Sequence, residues 1–179
     1  MTEQEMIQAA EALGFSAAAV ADTRDIVFDS TFRSYCEENL CGKYGANYAC
    51  PPDCGTPEEM KRRVLAHRKA LVLQTIWDIP DYTDNAAIKK AKGQHNKISL
   101  DLMKQLRAEG VPGFMAGSGG CSLCRECARV RNEPCVFPDL MYSCMSAYCI
   151  FVKKLADTCG MEYTPGDGLI AFFGMYVFD

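Results

Sequence analysis

Cys121, Cys124 and Cys127 stand three residues apart, and Cys135 follows after seven intervening residues. A compact run of this kind can place three thiolates around one face of a cubane iron–sulfur cluster, and a fourth thiolate then closes the site. The preceding segment 117–120 is rich in glycine, so its backbone amides can approach the inorganic sulfides closely. The spacing therefore predicts a [4Fe–4S] cluster held by these four thiolates.

Zinc and disulfide bonds are the alternative uses of such cysteines, and both fit the run less well. Structural zinc sites usually take their cysteines as two separated pairs and not as one continuous triple. The chain has 11 cysteines, which cannot all pair, and its acidic start does not have the form of a secretory signal. We therefore favour an iron–sulfur cluster at this run, while the reaction that it would serve stays open.

A second cysteine-rich stretch covers about residues 36–55 and contains Cys36, Cys41, Cys50 and Cys54. We call it the first cysteine region, after its place in the chain, and the stretch 117–138 the second. Glycines, prolines and an asparagine predict a loop on which the four thiols can converge. Their spacing is irregular, with four, eight and three residues between them. A second iron–sulfur cluster is the favoured interpretation, with a four-thiolate zinc site or no metal as alternatives.

Helical and strand patterns alternate around these two regions. Helices are predicted over about 2–13, 31–36, 56–67, 84–109 and 144–158, with capping boxes of Thr2 with Glu5 and of Thr56 with Glu59. Strands are predicted over about 15–21, 70–77, 111–116 and 169–178, with a short apolar piece at 26–28. Such an order predicts an α+β or α/β fold with a small mixed sheet flanked by helices. We expect a single cysteine-rich metal-binding domain, residues 1–179, with both metal loops at one end.

Composition restricts the partners of the protein. The net charge of −4 argues against a nucleic-acid surface, and no run of 18 apolar residues predicts a membrane span. Many unpaired cysteines favour a reducing cytoplasm and an oxygen-poor setting. No Ser-His-Asp order, phosphate loop or dinucleotide fingerprint is present. The only two histidines, His67 and His95, are expected at surface or helix-end positions.

Several of these residues resemble DUF2284, a family of prokaryotic proteins described as predicted metal-binding proteins of unknown function. The matching elements are Cys41-Gly-Lys-Tyr-Gly45, Cys50-Pro-Pro52, Gly120-Cys-Ser-Leu-Cys-Arg-Glu-Cys127, and Cys135 with Pro138. The resemblance covers roughly residues 30–179 and implies a cysteine-rich, iron–sulfur protein without an assigned reaction. By position it implies that the first metal region includes Cys36, Cys41 and Cys50, and the second Cys121, Cys124, Cys127 and Cys135. Cys54 is less securely part of the pattern.

The chain departs from the family pattern after Pro138. Residues 143–147 read Ser-Cys-Met-Ser-Ala, without the acidic residue of the family, and Cys149 stands where a glycine is usual. The departure adds two thiols, and we hypothesise that Cys144 or Cys149 lies close enough to a metal to serve as an extra ligand. The alternative is core packing, since buried free cysteine behaves as a small hydrophobic residue.

An electron-transfer protein or subunit is the function that these features favour. Clusters in such a protein need only lie near each other and near the surface that a redox partner protein contacts, which suits a chain without an evident catalytic constellation. A cluster-dependent redox enzyme acting on a small molecule is one alternative. A metal-sensing or redox-sensing binding module is the other.

Overall fold

A computed structural model describes residues 1–179, and its centre is a mixed sheet of five strands. The strands are Ala17–Asp22 (β1), Lys69–Asp78 (β2), Gly113–Gly117 (β3), Ser143–Cys144 (β4) and Leu169–Phe178 (β5). Their spatial order is β1-β2-β5-β3-β4, and all neighbours are antiparallel except β3 and β4, which are parallel. The centre of the sheet, β2 and β5, therefore pairs segments that are far apart in the chain.

The helices are Glu3–Ala12 (α1), Arg33–Glu37 (α2), Pro57–Leu65 (α3), Asn85–Ala108 (α4) and Val152–Thr158 (α5). Both predicted capping boxes form, with Thr2 and Thr56 each bonded to a glutamate three residues later. Short 3-10 turns cover Thr23–Asp25, Ser30–Phe32 and Ala128–Arg131. A mixed sheet with helices on both faces confirms the predicted α+β fold.

Two apolar layers hold these elements together, one on each face of the sheet. On one face, α1 and α4 pack on Leu71, Leu73 and Tyr176, which alternate with the residues of the other face. On that other face, α3, α5 and the first cysteine region cover Val72 and Met175. The first cysteine region is thus part of the wall of a core, and the fold holds it in place from behind.

The helix predicted over 144–158 is wrong in its first half. Cys144 belongs to β4, the chain then turns, and α5 begins only at Val152. Cys149 has a left-handed backbone with φ of 57°, which a continuous helix does not allow. Ile150 makes an isolated antiparallel bridge to Phe28. Tertiary pairing therefore outweighs the apolar periodicity of this segment.

The prediction of a surface or helix-end position is also wrong for His95, which is 0% exposed. Its Nδ1 lies 2.8 Å from Thr75 Oγ1, and its ring meets Phe15 edge-on at 5.6 Å between centroids. A Cβ at Gly174 would lie 3.2 Å from His95 Nε2, so a glycine there leaves room for the ring. Burial lowers the pKa of His95 to about 4, which keeps the imidazole neutral.

None of the helices is sufficiently long and apolar to cross a lipid bilayer.

Candidate metal centre

The four thiols of the second cysteine region line one small pocket. Cys121, Cys124, Cys127 and Cys135 are all half-buried around it. Most of the remaining wall is apolar, and it consists of Leu123, Ala128, Val136, Phe137 and Met141 with Asn47 and Tyr48. The fold thus brings together the four residues that the spacing predicted as ligands.

The end of β3 and the helix α4 hold the loop that forms this pocket. Where β3 ends, the side chain of Asn96 on α4 holds Ser118 through two hydrogen bonds. It donates from Nδ2 to the Ser118 carbonyl at 2.5 Å and accepts from the Ser118 amide at 2.9 Å. Gly117 is required here, because a Cβ would lie 2.7 Å from the ring of Tyr142. The hydroxyl of Tyr142 in turn accepts from the Ser122 amide at 3.3 Å, which fixes the start of the cysteine run.

The buried surroundings of Cys121 disfavour the charged thiolate form of its side chain. Burial raises its pKa, while hydrogen bonds with the backbone of Leu123 and Tyr142 oppose this rise. Since metals and clusters bind the thiolate, a bound cation would have to supply the missing stabilisation. The backbone groups of Leu123 and Tyr142 are already placed to donate hydrogen bonds to a thiolate at this position.

The first cysteine region contains one thiol on α2 and three on the loop that follows. Cys36 is half-buried, Cys41 is exposed, and Cys50 and Cys54 are buried. Burial raises the pKa of Cys36 to about 11 and that of Cys50 to about 12. Arg33 on α2 also bonds the turn that follows Cys144, through the Ala147 carbonyl. The fold thus brings a turn with a further thiol, from β4, beside the first cysteine region.

Two cations accompany the first region without a carboxylate partner. Arg33 is 8% exposed and donates to the carbonyls of Gly55 and Ala147, at 2.7 and 2.9 Å. Its Nε is buried without a hydrogen-bond partner, and neither Arg33 nor Lys43 has a carboxylate within salt-bridge distance. A buried cation needs a negative partner to offset its desolvation. A set of thiolates around a metal would provide that charge.

The two cysteine regions touch each other. Lys43 Nζ donates to the carbonyls of Gly120 and Cys121 at 3.1 and 3.2 Å, and Asn47 Nδ2 donates to Cys121 at 2.9 Å. A Cβ at Gly120 would lie only 2.8 Å from Cys50 Sγ, so the two loops pack backbone to sulfur. The prediction that both loops gather in one place is confirmed by these contacts.

Two further contacts join the same loops at their outer side. Tyr48 Oη donates to the Glu133 carbonyl at 2.6 Å, and the carboxylate of Asp53 pairs with Arg129 at 2.9 Å. The largest cleft of the structure lies elsewhere, at the end of the sheet where Lys69 and Phe178 pair, and no cysteine lines it. Eight of the 11 cysteines belong instead to the two cysteine regions, which contact each other.

No three His, Cys, Asp or Glu side chains converge closely enough to hold a single metal ion. The thiols of the second region surround a space and do not meet at a point. Among residues near the thiols, sequence reasoning missed Arg33 and Lys43 as companions of the sulfurs. Lys43 stands inside the Cys41-Gly-Lys motif, where a signal existed, whereas nothing in the sequence around Arg33 marks it.

The sheet, its helices and the two joined loops define a cysteine-rich α+β protein. Comparison with known families extends this description: the profile of "Predicted metal-binding protein (DUF2284)" matches residues 19–178. The chain therefore belongs to the DUF2284 family. No curated protein and no solved structure gives a significant match.

Proposed function

We propose that this protein binds [4Fe–4S] clusters and transfers electrons to and from a partner protein. The observation that carries the proposal is the single apolar-walled pocket lined by Cys121, Cys124, Cys127 and Cys135. In a cubane each thiolate binds a different iron, so the four sulfurs must stand around the cluster. A tetrahedral zinc ion would instead draw all four sulfurs to about 2.3 Å from one point.

The first cysteine region is proposed to hold a second cluster. Cys36, Cys41 and Cys50 would be joined there by one further thiol, either Cys54, as the spacing predicts, or Cys144, whose following turn is bonded by Arg33. Arg33 and Lys43 support this assignment. Arg33 bonds the carbonyl of Gly55, Lys43 lies with Cys50 Sγ against Gly120, and neither cation has a carboxylate partner. Their charge would offset the negative charge that thiolates bring to a cluster.

Electron transfer between two such centres is supported by the contact between the loops that would hold them. Cys50 Sγ packs against Gly120, the residue before Cys121, and Lys43 bonds the same backbone. When bound, each cluster supplies one-electron chemistry, taking an electron from a reduced donor and giving it to an oxidised acceptor. The chain itself contributes the covalent and hydrogen-bonded connection between the two centres.

The mouth of the second pocket is the surface at which we expect the redox partner. Val136 and Phe137 line the pocket and are 58% and 42% exposed. Exposed apolar side chains of this kind are typical of protein contact surfaces. A partner that covers them would come close to the sulfurs of the pocket and exclude water from it.

Strictly anaerobic purification tests the proposal, with iron, acid-labile sulfide and zinc measured on one sample beside its visible spectrum. About eight irons and eight sulfides per chain are expected for two cubanes, and about four of each for one. Reduction by dithionite and reoxidation without loss of iron would distinguish an electron carrier from a sensor that releases its cluster. Zinc without sulfide, and without broad absorption near about 400 nm, would overturn the proposal.

A further inference from the structure

The position of Cys144 is set by the pairing of β4 with β3 and not by the residues next to it in the sequence. Strand β4 pairs with the end of β3, so that Cys144 stands opposite Gly117, and the Met145 amide donates to the Gly117 carbonyl at 2.9 Å. Gly117 begins the glycine segment that ends at Gly120, and Cys50 Sγ packs against Gly120. The same short segment is thus the neighbour of a thiol from the first region and of Cys144.

The sulfur of Cys144 is placed as a hydrogen-bond acceptor. The Ala147 amide lies 3.3 Å from Cys144 Sγ and is shared with the Cys144 carbonyl at 3.0 Å. Burial raises the pKa of Cys144, and hydrogen bonds with the backbone of Ala147 and Ser146 oppose this rise. Amide-to-sulfur bonds stabilise a thiolate and are one of the ways in which proteins tune iron–sulfur centres.

Cys54 is placed in the opposite way. Its thiol donates to the Gly55 carbonyl at 3.8 Å, which only the protonated form can do. Its side chain is 7% exposed and belongs to the apolar core with Met60 and Val64. A protonated thiol behaves as a small hydrophobic side chain, so this position in the core suits it.

The turn that follows Cys144 lies against the first region. Arg33, on α2 with Cys36, donates to the carbonyl of Ala147 in this turn at 2.9 Å and to that of Gly55, next to Cys54, at 2.7 Å. Cys144 also packs against the core cluster that contains Cys54. Cys144 lines a pocket together with residues 117–119, whereas Cys149 lines a different one with Pro57 and Lys61.

Cys149 is the second of the two extra thiols. It is 1% exposed, and the opposing charges of Arg33 and Asp29 act on its thiol. Its position beside the guanidinium suits a buried residue that packs behind the site.

We infer that Cys144 is the fourth thiolate of the first metal centre, together with Cys36, Cys41 and Cys50, and that Cys54 is a structural core residue. This inference rests on the proposed function, because it assigns a ligand to the second of the two proposed clusters. The site would then be composite, with one ligand from α2, two from the loop that follows it and the fourth from a strand about a hundred residues later in the chain.

The test compares three alanine variants, Cys144→Ala, Cys54→Ala and Cys149→Ala, purified anaerobically beside the wild type. We expect Cys144→Ala to lose about half of the iron and sulfide, and the other two variants to keep the wild-type content. Electron paramagnetic resonance of the dithionite-reduced samples should show one cluster signal lost in Cys144→Ala alone. Should zinc occupy the first region, the same comparison is read as the loss of zinc.

Full metal content in Cys144→Ala, or its loss in Cys54→Ala with Cys144→Ala unaffected, would overturn the inference while leaving the proposed function intact. A wild type with iron and sulfide for one cluster and no zinc would also overturn it, since the first region would then hold nothing. Absence of iron and sulfide from the wild type would instead overturn the proposed function. If Cys144→Ala does not fold, Cys144→Ser keeps the size and the hydrogen bond from Ala147, and its metal content decides.

Discussion

The two cysteine regions assemble their thiols in different ways. In the second region, four cysteines within one loop turn around a single pocket, and α4 only anchors the loop through Asn96. In the first region, α2 carries Cys36 and the loop after it carries the other three thiols, and we infer that β4 adds Cys144. A local site depends on its own spacing, whereas a composite site depends on the pairing of distant strands.

The surroundings of the two regions differ as well. The second region is half-buried, and its pocket opens beside the exposed side chains of Val136 and Phe137. The first region has two buried thiols on its loop and the cations Arg33 and Lys43 at its border. We therefore expect the second region to exchange electrons with partners and the first to be the more protected centre.

Removal of one ligand from the local site gives the largest expected effect. Cys124→Ala takes one of the four thiols from the pocket, and the whole second cluster, about four irons and four sulfides, should be lost. The first region should keep its metal, because none of its ligands comes from this loop. Iron and sulfide analysis after anaerobic purification measures both results.

Cys159→Ala is the matched control for this substitution. Cys159 is a half-buried thiol at the end of α5 that packs against the apolar core and does not line the pocket of the second region. Its removal should leave the iron content unchanged. Loss of all iron from Cys124→Ala would contradict the independence of the two regions and would mean that one cluster supports the other.

The difference between local and composite sites also explains what could be predicted from the sequence. The capping boxes and the strand Leu169–Phe178 are local patterns, and the structure has them where they were predicted. The spacing of Cys121 to Cys135 is also local, and these four cysteines line one pocket. The neighbours of Cys144 depend on the parallel pairing of β4 with β3, which periodicity does not encode. The same limitation applies to His95, whose burial depends on the approach of β5 to α4.

The contact between the regions can be broken at Gly120. In Gly120→Ala, the new Cβ would lie 2.8 Å from Cys50 Sγ and 2.9 Å from Lys43 Cδ. Lysine can move, but the buried thiol has little room, so we expect a loss of about 1–3 kcal/mol. For a chain of this length, that corresponds to a melting temperature lower by roughly 2–10 °C. Thermal unfolding under nitrogen, followed by circular dichroism, measures it.

Gly93→Ala is a control of opposite sign for the same measurement. Gly93 lies within α4, and a Cβ there would meet no atom within 4 Å. Alanine is favoured over glycine in a helix interior by about 1 kcal/mol, so the melting temperature should rise by roughly 2–4 °C. Equal stability of Gly120→Ala and the wild type would show that the two regions do not pack as tightly as described.

The scaffold, apart from both cysteine regions, should lose stability in acid because of His95. Burial lowers the pKa of His95 to about 4, against about 6.5 in an unfolded chain. Between these values the unfolded state binds more protons, so this contribution to stability is present above pH 6.5 and is lost as the pH falls to 4. Between pH 7 and pH 5 the loss should be about 2 kcal/mol.

His95→Gln should remove this part of the acid sensitivity, and unfolding in urea at pH 7 and pH 5 measures it against the wild type. His67→Gln is the control, because His67 is partly exposed and bonds Asp179 at the surface. It should keep the wild-type difference between the two pH values. If His95→Gln keeps it too, the acid sensitivity belongs to the thiols or their metals and not to the scaffold.

The smallest expected effect concerns Lys43, which lies between the two regions. Its ammonium bonds the carbonyls of Gly120 and Cys121, and it lowers the pKa of the thiols of Cys50 and Cys121 against the larger effect of burial. Reduction adds negative charge to a cluster, and a nearby cation favours the reduced form. Lys43→Gln should therefore make both reduction potentials more negative, by about 60 mV, a tenfold change for one electron.

Anaerobic redox titration followed by electron paramagnetic resonance measures the two potentials separately. Lys153→Gln is the control, since Lys153 pairs with Asp157 on α5 and bonds neither region. A shift confined to one cluster would show that Lys43 acts on one region alone, and the two regions would then be electrostatically separate despite their contact. Equal shifts of both reduction potentials would show that the charge of Lys43 acts on the local site and on the composite site alike. The potential of each centre would then depend on the loop of the other.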